Sequence, residues 1–298
     1  MPELPDVEAY VAALDRVLAG QRLARVRVFG PSILKSVEPP LSAFEGLAFE
    51  RAERLGKRIA LGFEGGRYLV IHLMIAGRLL WRAGPPAPGQ PGGRTTAACL
   101  EFDTGHLLLT EAGTKKRANL TALAGREGLE AHRRGGIEPM TCDLESFRDA
   151  LLRENRTLKR AMTNPEAFSG IGNAFSDEIL HAARLSPMRL TRSLDASEVE
   201  RLFLATREVL GTWTERLIQK AIKKFPGRGE VTAFRPEFAV HGKFGEPCPV
   251  CGRKVQRIRY ADNETNYCAI CQNEGRLLAD RSLSRLLKDD WPKMLEDE

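Results

Sequence analysis

Two Cys-x-x-Cys pairs constrain this chain more than any other feature of it. Cys248 and Cys251 form one, Cys268 and Cys271 the other, and sixteen residues separate Cys251 from Cys268. Such pairs fold into two tight knuckles around one tetrahedral ion, and the spacing is that of a four-thiolate zinc site. Gly252, directly after the second cysteine, suits the knuckle turn. Between the pairs, Val255, Arg257 and Arg259 alternate with Gln256, Ile258 and Tyr260, and Ala261-Asp262-Asn263-Glu264 is the expected hairpin turn. The segment therefore reads as a zinc ribbon with a basic hairpin. Two disulfides or a redox pair are the competing readings. The sequence contains no secretory apolar segment and no membrane-spanning run, which places it in a reducing cytoplasm and favours zinc. Cys99 and Cys142 are then expected to be ordinary buried thiols.

The rest of the chain must build its own core. With 298 residues, 43% of them hydrophobic, it has material for two domains besides the ribbon. A net charge of +6 is modest but unevenly spread: Lys115-Lys116-Arg117, Arg133-Arg134, Arg153 to Arg160 and Lys220 to Arg228 are basic clusters. Charge runs are often solvated faces, yet several of them in a chain with a zinc ribbon favour a polyanion such as nucleic acid. There is no internal repeat, and the Pro/Gly-rich stretch from Gly84 to Gly93 reads as an exposed loop.

Periodicity separates two textures. Val7, Val11, Leu14, Val17 and Leu18 recur at helical spacing behind Pro5-Asp6, so the chain opens with an amphipathic helix that anchors its terminus. Short β-type runs follow at 26–29, 59–63, 68–73, 78–81, 98–102, 107–110 and 118–123, the pattern of a β-sandwich. Beyond Arg133-Arg134-Gly135-Gly136 the candidates are helices at 144–154, 158–163, 173–183, 197–212 and 215–224, with the hinge near Leu129 to Thr141. The expected class is a multidomain α+β chain. Residues 1–130 form the β-sandwich domain with its leading helix, 131–237 a helical domain, 238–275 the zinc finger and 276–298 a helical extension. In that extension Leu277, Leu278, Leu283, Leu286, Leu287 and Trp291 have amphipathic spacing, for packing back on the protein or for a partner.

Two further motifs carry chemistry. The chain begins Met1-Pro2-Glu3-Leu4-Pro5, and removal of Met1 exposes a secondary amine beside a carboxylate. An α-amino group has a pKa of about 7.7–8.0, so part of it is unprotonated at neutral pH. Condensed with a sugar aldehyde carbon, a secondary amine gives an iminium that cannot lose a nitrogen proton and so stays an electron sink, while Glu3 can give and take protons. The second motif is Gly170-Ile171-Gly172-Asn173 before a helix. Two glycines allow backbone N–H groups to approach an anion at a helix N-terminus; a tight interhelical loop with an Asn cap has the same sequence.

Taken together, Met1 to Pro5, Leu55-Gly56-Lys57-Arg58, Val70-Ile71-His72-Leu73, Gly170-Ile171-Gly172-Asn173 followed by Glu178, and the ribbon ending Tyr267-Cys268-Ala269-Ile270-Cys271-Gln272 resemble the Fpg/Nei family of DNA glycosylases in order and spacing. The resemblance runs from Met1 to Gln272. It implies a base-excision repair enzyme, acting as a monomer on damaged double-stranded DNA, whose helical domain is a helix-two-turn-helix module. It also implies a flipped-out nucleotide, attack by Pro2 on C1′ and strand cleavage by elimination. Glu3 corresponds to the proton donor, Lys57 to the lysine at the phosphate beside the lesion, Asn173 to an asparagine that holds a backbone phosphate, and Glu178 to a buried catalytic acid. The DNA contacts implied are Lys57, His72, Ile75, Lys159, Gly172, Asn173, Arg259 and Asn263; Lys159 reads equally as a surface lysine. Zinc would be structural, one ion on Cys248, Cys251, Cys268 and Cys271.

The chain departs from the family's pattern where lesions are read. Asn263 stands where an arginine is usual, five residues before the third cysteine, and a neutral bond contributes about 0.5–1.5 kcal/mol against about 1.5–3 for a charge-assisted one. Thr110 to Lys116 lacks the arginine and phenylalanine that fill the gap left by the flipped base. Ile75, with Met74 beside it, takes the place of a methionine wedge, where either side chain can enter the stack or pack in the core. The lesion-capping loop is replaced by a lysine-rich helix expected from Leu217 to Phe225, and Asp6 replaces a more usual glutamate.

Overall fold

The computed structural model describes residues 1–260, 263–279 and Met294. The chain divides into two compact units, residues 1–134 with 213–232 and residues 135–212 with 233 onward. The segment 213–232, expected within the helical domain, thus belongs with the first unit.

In the first unit, helix α1 (Leu4–Leu18) starts with Pro5 in its first turn, where its missing N–H costs nothing. The Asp6 carboxylate reaches back to accept the Glu3 backbone N–H at 2.9 Å, which fixes the turn that carries the terminus. Eight strands follow: β1 (Leu23–Val28), β2 (Phe49–Leu55), β3 (Arg58–Phe63), β4 (Arg67–His72), β5 (Gly77–Ala83), β6 (Thr96–Phe102), β7 (Gly105–Glu111) and β8 (Asn119–Ala124). They form two antiparallel four-stranded sheets, ordered β1-β6-β7-β5 and β2-β3-β4-β8.

One core joins them. Ile59, Leu61 and Phe63 of β3 meet Leu100, Leu107 and Leu109 of the other sheet and Val7, Tyr10, Leu14 and Leu18 of α1. Phe63 stands edge-on to Phe44 and Phe49, with ring centroids 5.9 and 6.0 Å away. The alternate residue Ala60 faces outward with Tyr68 and Val70, where Leu129 of α2 (Gly125–Glu130) covers them. Both faces of β3 are therefore buried, which explains its unbroken apolar run.

The strand that periodicity missed is β2. A register shift between Phe49 and Arg51 leaves its buried residues at Phe49, Ala52 and Leu55, a spacing of three that imitates a helix, while Glu50, Arg51, Glu53 and Arg54 read as a solvated face.

The second unit is helical with a small hairpin. Asp143 caps α3 (Leu144–Leu152) by accepting from the Ser146 N–H at 2.8 Å. After α4 (Leu158–Thr163) and α5 (Asn173–Ala182) comes α6 (Ala196–Ala221), one helix of 26 residues where two were expected. Gly211, Thr212 and Thr214 lower its propensity without ending it, and the absent side chain at Gly211 leaves room for Met140. From Trp213 the helix counts with the first unit, where Leu217 and Ala221 pack on Ala9 and Ala13 of α1. The lysine-rich helix expected to reach Phe225 stops at Ala221. β9 (Gln256–Arg259) and β10 (Glu264–Tyr267) pair as the expected hairpin, followed by α7 (Ala269–Asn273). Ala261 and Asp262 of the turn, and the extension's Leu283, Leu286, Leu287 and Trp291, lie outside the described residues. No helix among the described residues is long and apolar enough to cross a membrane.

Phe63→Ala removes the ring at the centre of the three-aromatic contact. It should cost about 3–5 kcal/mol of stability, read as a lowered midpoint in denaturant unfolding; a loss below 1 kcal/mol would show that the cluster is not central to the core.

Candidate active site and zinc centre

The chain is already buried where it enters α1, with Glu3 at the N-cap. Pro2, Glu3 and Asp6 are buried, whereas Met1 is 36% exposed. Burial holds the terminal amine below its ordinary pKa; Glu3 opposes this, Arg78 and Lys57 reinforce it, and Asp6 opposes it. In the chain that retains Met1, the Pro2 nitrogen is an amide. Removal of Met1 leaves a secondary amine among these same groups.

Lys57 sits on a two-residue turn, because Leu55 pairs with Arg58 across the β2–β3 hairpin. The first turn residue, Gly56, has φ +61°, a conformation that favours glycine. One residue on, Arg58 lies opposite His72 on β4, and its guanidinium donates to the His132 carbonyl at 2.6 Å. Burial, then Arg58, Arg134 and Lys57, push the His72 pKa down to about 4, so the imidazole is neutral at pH 7 and offers one N–H and one acceptor.

Beyond β4 the chain reverses tightly. The Gly77 N–H donates to the Leu73 carbonyl at 2.8 Å, and a Cβ on Gly77 would stand 2.2 Å from that oxygen. This turn lifts Ile75 to 62% exposure, so Ile75 is not a core residue. After β7, the Glu111 carboxylate accepts from the N–H groups of Arg117 (2.8 Å) and Ala118 (3.1 Å), and the Lys116 ammonium donates to the Glu111 carbonyl. The loop in which arginine and phenylalanine are missing is thereby tied to its own strand.

In the second unit, Gly170 at φ +81° bends the chain into α5, with Gly172 at its N-cap. Asn173 donates through Nδ2 to the Glu264 carbonyl at 2.9 Å. Lys159 and Glu178 are both drawn into bonds inside the protein. Lys159 is 8% exposed, and its ammonium donates to Asp177 Oδ1 (2.5 Å), the Asn173 carbonyl (2.6 Å) and Ser176 Oγ (2.8 Å), so its three N–H groups are committed inside the protein. This makes it a brace for the start of α5 rather than an ordinary surface lysine. Glu178 accepts from the backbone N–H groups of Ala239 (2.7 Å), His241 (2.8 Å) and Val240 (2.9 Å). Burial raises its pKa while these three bonds lower it, and the carboxylate clamps the backbone at residues 239–241.

Sequence reasoning passed over Asp177, whose second oxygen bonds His241 Nδ1 (2.7 Å) and the Asn266 N–H (3.1 Å). Its only sequence signal was a position four residues after Asn173, on the same helix face.

The four cysteines form the one group of His, Cys, Asp or Glu side chains among the described residues able to hold a metal, their sulfurs all within 4.8 Å of one another. Cys251 and Cys268 are 3.4 Å apart and Cys248 and Cys271 3.9 Å. A tetrahedron with Zn–S bonds of about 2.3 Å has edges of about 3.8 Å, so the donor set fits zinc in both chemistry and size. Backbone groups shape the knuckles: the Gly252 N–H donates to the Cys248 carbonyl at 2.9 Å and the Cys271 N–H to Cys268 Sγ at 3.5 Å. On the hairpin, Arg259 and Asn263 are exposed, while Arg257 lies over the Phe244 ring at 4.2 Å and 3.8 Å from the Glu264 carboxylate.

Comparison with known proteins accounts for almost the whole chain. Residues 1–119 match the formamidopyrimidine-DNA glycosylase N-terminal domain, residues 136–223 its H2TH domain, and residues 245–273 the zinc finger found in FPG and IleRS. The formamidopyrimidine-DNA glycosylase of Symbiobacterium thermophilum is 33% identical over 94% of this chain and 93% of its own length. Among solved structures, the MutM (Fpg) protein of Thermus thermophilus is 30% identical with a TM-score of 0.72, covering 92% of this chain and all of its own. Lactococcus lactis Fpg bound non-covalently to DNA containing an AP site is 25% identical with a TM-score of 0.76, covering 91% of this chain and 99% of its own.

The environment of His72 has a measurable consequence. The unfolded chain takes up its proton near pH 6.5, the folded protein near 4. Above pH 6.5 the two states bind equally, and stability falls as pH drops from 6.5 towards 4, because only the unfolded state gains the proton. NMR titration should place the His72 midpoint near 4, and His72→Gln should lessen the acid loss within that window. A midpoint near 6.5 would show that the ring is not held neutral.

Proposed function

This chain belongs to the formamidopyrimidine-DNA glycosylase family, and on that premise we propose that it removes damaged bases from double-stranded DNA and cleaves the strand at the resulting abasic site through Pro2. The observation that carries this is the buried terminus: Pro2 and Glu3 lie inside the fold, and Glu3 and Lys57 are among the charged groups that act on the Met1 amine, so removal of Met1 would leave the Pro2 amine among them.

In this reading the free Pro2 nitrogen attacks C1′ of a nucleotide turned out of the stack, and the base leaves with the glycosidic electron pair. Glu3 protonates the ring oxygen as the sugar opens, giving an iminium between C1′ and the proline nitrogen. Loss of a C2′ proton to a base sends electrons into the iminium and expels the 3′ phosphate, and water then releases Pro2. Lys57 and neutral His72 hold the phosphate beside the lesion. The Gly172–Asn173 start of the ten-residue helix α5 offers N–H groups and a positive dipole end to another phosphate. Ile75 is the side chain that enters the space left in the stack. Arg259 and Asn263 face the backbone from the hairpin, which zinc holds in shape without an open coordination position. The protein is proposed to act as a monomer in the cytoplasm, on the nucleoid.

Borohydride should trap a covalent adduct with abasic-site DNA at the first residue of the mature chain, and mapping of the adduct to Lys57 would sink the Pro2 assignment. Glu3→Gln should keep DNA binding while slowing turnover about 10²–10⁴-fold.

Lesion choice follows from the altered reading loops. The segment after β7 is tied back through Glu111 and carries no aromatic side chain, and Asn263 is neutral. An enzyme with few groups to hold an extrahelical state favours sites that cost little to unpair. Single-turnover rates should be higher on abasic or unpaired lesions than on 8-oxoguanine opposite cytosine, and Asn263→Arg should modestly raise DNA affinity. Efficient removal of 8-oxoguanine with a strong preference for cytosine opposite would overturn this choice.

A further inference from the structure

Helix α5 carries three polar side chains in one row, Asn173, Asp177 and His181, at positions i, i+4 and i+8. Each reaches a different part of the segment that bears the cysteines. Asn173 donates to the Glu264 carbonyl at 2.9 Å, Asp177 bonds the Asn266 N–H at 3.1 Å and His241 at 2.7 Å, and His181 Nε2 lies 3.3 Å from Cys248 Sγ. The last contact is sheltered: His181 is 6% and Cys248 2% exposed, and Val240, Val255 and Cys268 pack with Cys248 in a small apolar cluster.

A ring N–H directed at a metal-bound sulfur withdraws electron density from it and fixes its orientation, and outer partners of this kind commonly change metal affinity by about 10–100-fold. A short helix is stiff, its rise of about 1.5 Å per residue putting Asn173 roughly 12 Å along the axis from His181. Displacement at one end of the row therefore moves the other end.

We propose that His181 is a positioning residue of the zinc centre, donating through Nε2 to the Cys248 thiolate, and that the α5 row ties retention of the metal to the placement of Asn173. The functional sense of this rests on the reading of Gly172–Asn173 as a phosphate site, whereas the metal measurements need no DNA. Failure of borohydride trapping would remove the lyase reading and leave them untouched.

The experiment uses the full zinc-loaded chain with two substitutions. His181→Phe keeps an aromatic ring and removes the donor; His181→Gln keeps an N–H donor. Zinc transfer to a chromogenic chelator should be about 10–100-fold faster in the Phe variant and close to wild type in the Gln variant. In Co(II)-substituted protein, the thiolate-to-metal charge-transfer band should move to lower energy in the Phe variant, where the sulfur is more electron-rich, and return in the Gln variant. Amide hydrogen exchange at Asn173 and at residues 264–267 should quicken in the Phe variant. An unchanged release rate and band would overturn the proposal, as would equal changes in both variants, which would assign the effect to packing. Unaltered exchange at Asn173 beside faster zinc release would overturn the coupling. Should the Phe variant not fold, His181→Asn, whose shorter amide falls short of the sulfur, replaces it in each arm.

Discussion

Two adjacent buried carboxylates, Asp177 and Glu178, hold the second unit together. Among the described residues, neither has an arginine against it. Glu178 is met by three successive backbone N–H groups at residues 239–241, and Asp177 by Lys159, His241 and the Asn266 N–H. Removing one member of such a set strands a charge away from water at a cost of several kcal/mol, so the set stands or fails as a whole. What it assembles is specific. Helix α4, the irregular segment leading to the first cysteine knuckle and the zinc hairpin are far apart in sequence and converge on ten helical residues. The zinc ion would close the far side of an arrangement that these carboxylates organise from within.

The first unit solves a different problem, which is to keep a chain terminus still. Terminal residues usually fray, and the nucleophile proposed at the end of this chain would have to overcome that tendency. Here α1 is buried on two sides, by the sandwich core through Val7, Tyr10, Leu14 and Leu18 and by residues 213–225 through Ala9 and Ala13. The Asp6 carboxylate then fixes the backbone of Glu3. An aspartate in place of a longer glutamate suits this task, since a side chain from the third helical position needs little reach to find that N–H. The site is precise because the helix behind it has nowhere to move.

Legibility in the sequence followed the physics that formed each element. Strands buried on both faces, such as β3, and knuckles defined by cysteine spacing were plain, because one residue type at one interval settles them. β2 was not, because its register shift replaced the alternation that marks a strand. Helix α6 was divided at Gly211 to Thr214 since propensity counts against those residues, whereas packing along the whole helix decides for them. At the zinc centre, the four cysteines were readable from spacing alone. The working partners of Lys159, Asp177 and Glu178 were not: a charged residue carries no mark of whether it faces water or a buried network, and their contacts join positions up to 89 residues apart.

The turn from Leu73 to Gly77 separates two things that usually change together in proteins. Its shape is fixed by main-chain crowding at Gly77, where any side chain would strike the Leu73 carbonyl, while the tip residue Ile75 touches so little that the fold makes almost no demand on its identity. A population of such chains could exchange one apolar tip for another without refolding anything beneath it. If Ile75 enters the DNA stack as proposed, variation at this point would be exposed to selection on the substrate alone, and a shift in which lesions are recognised could arise by single steps that leave the stability of the scaffold unchanged.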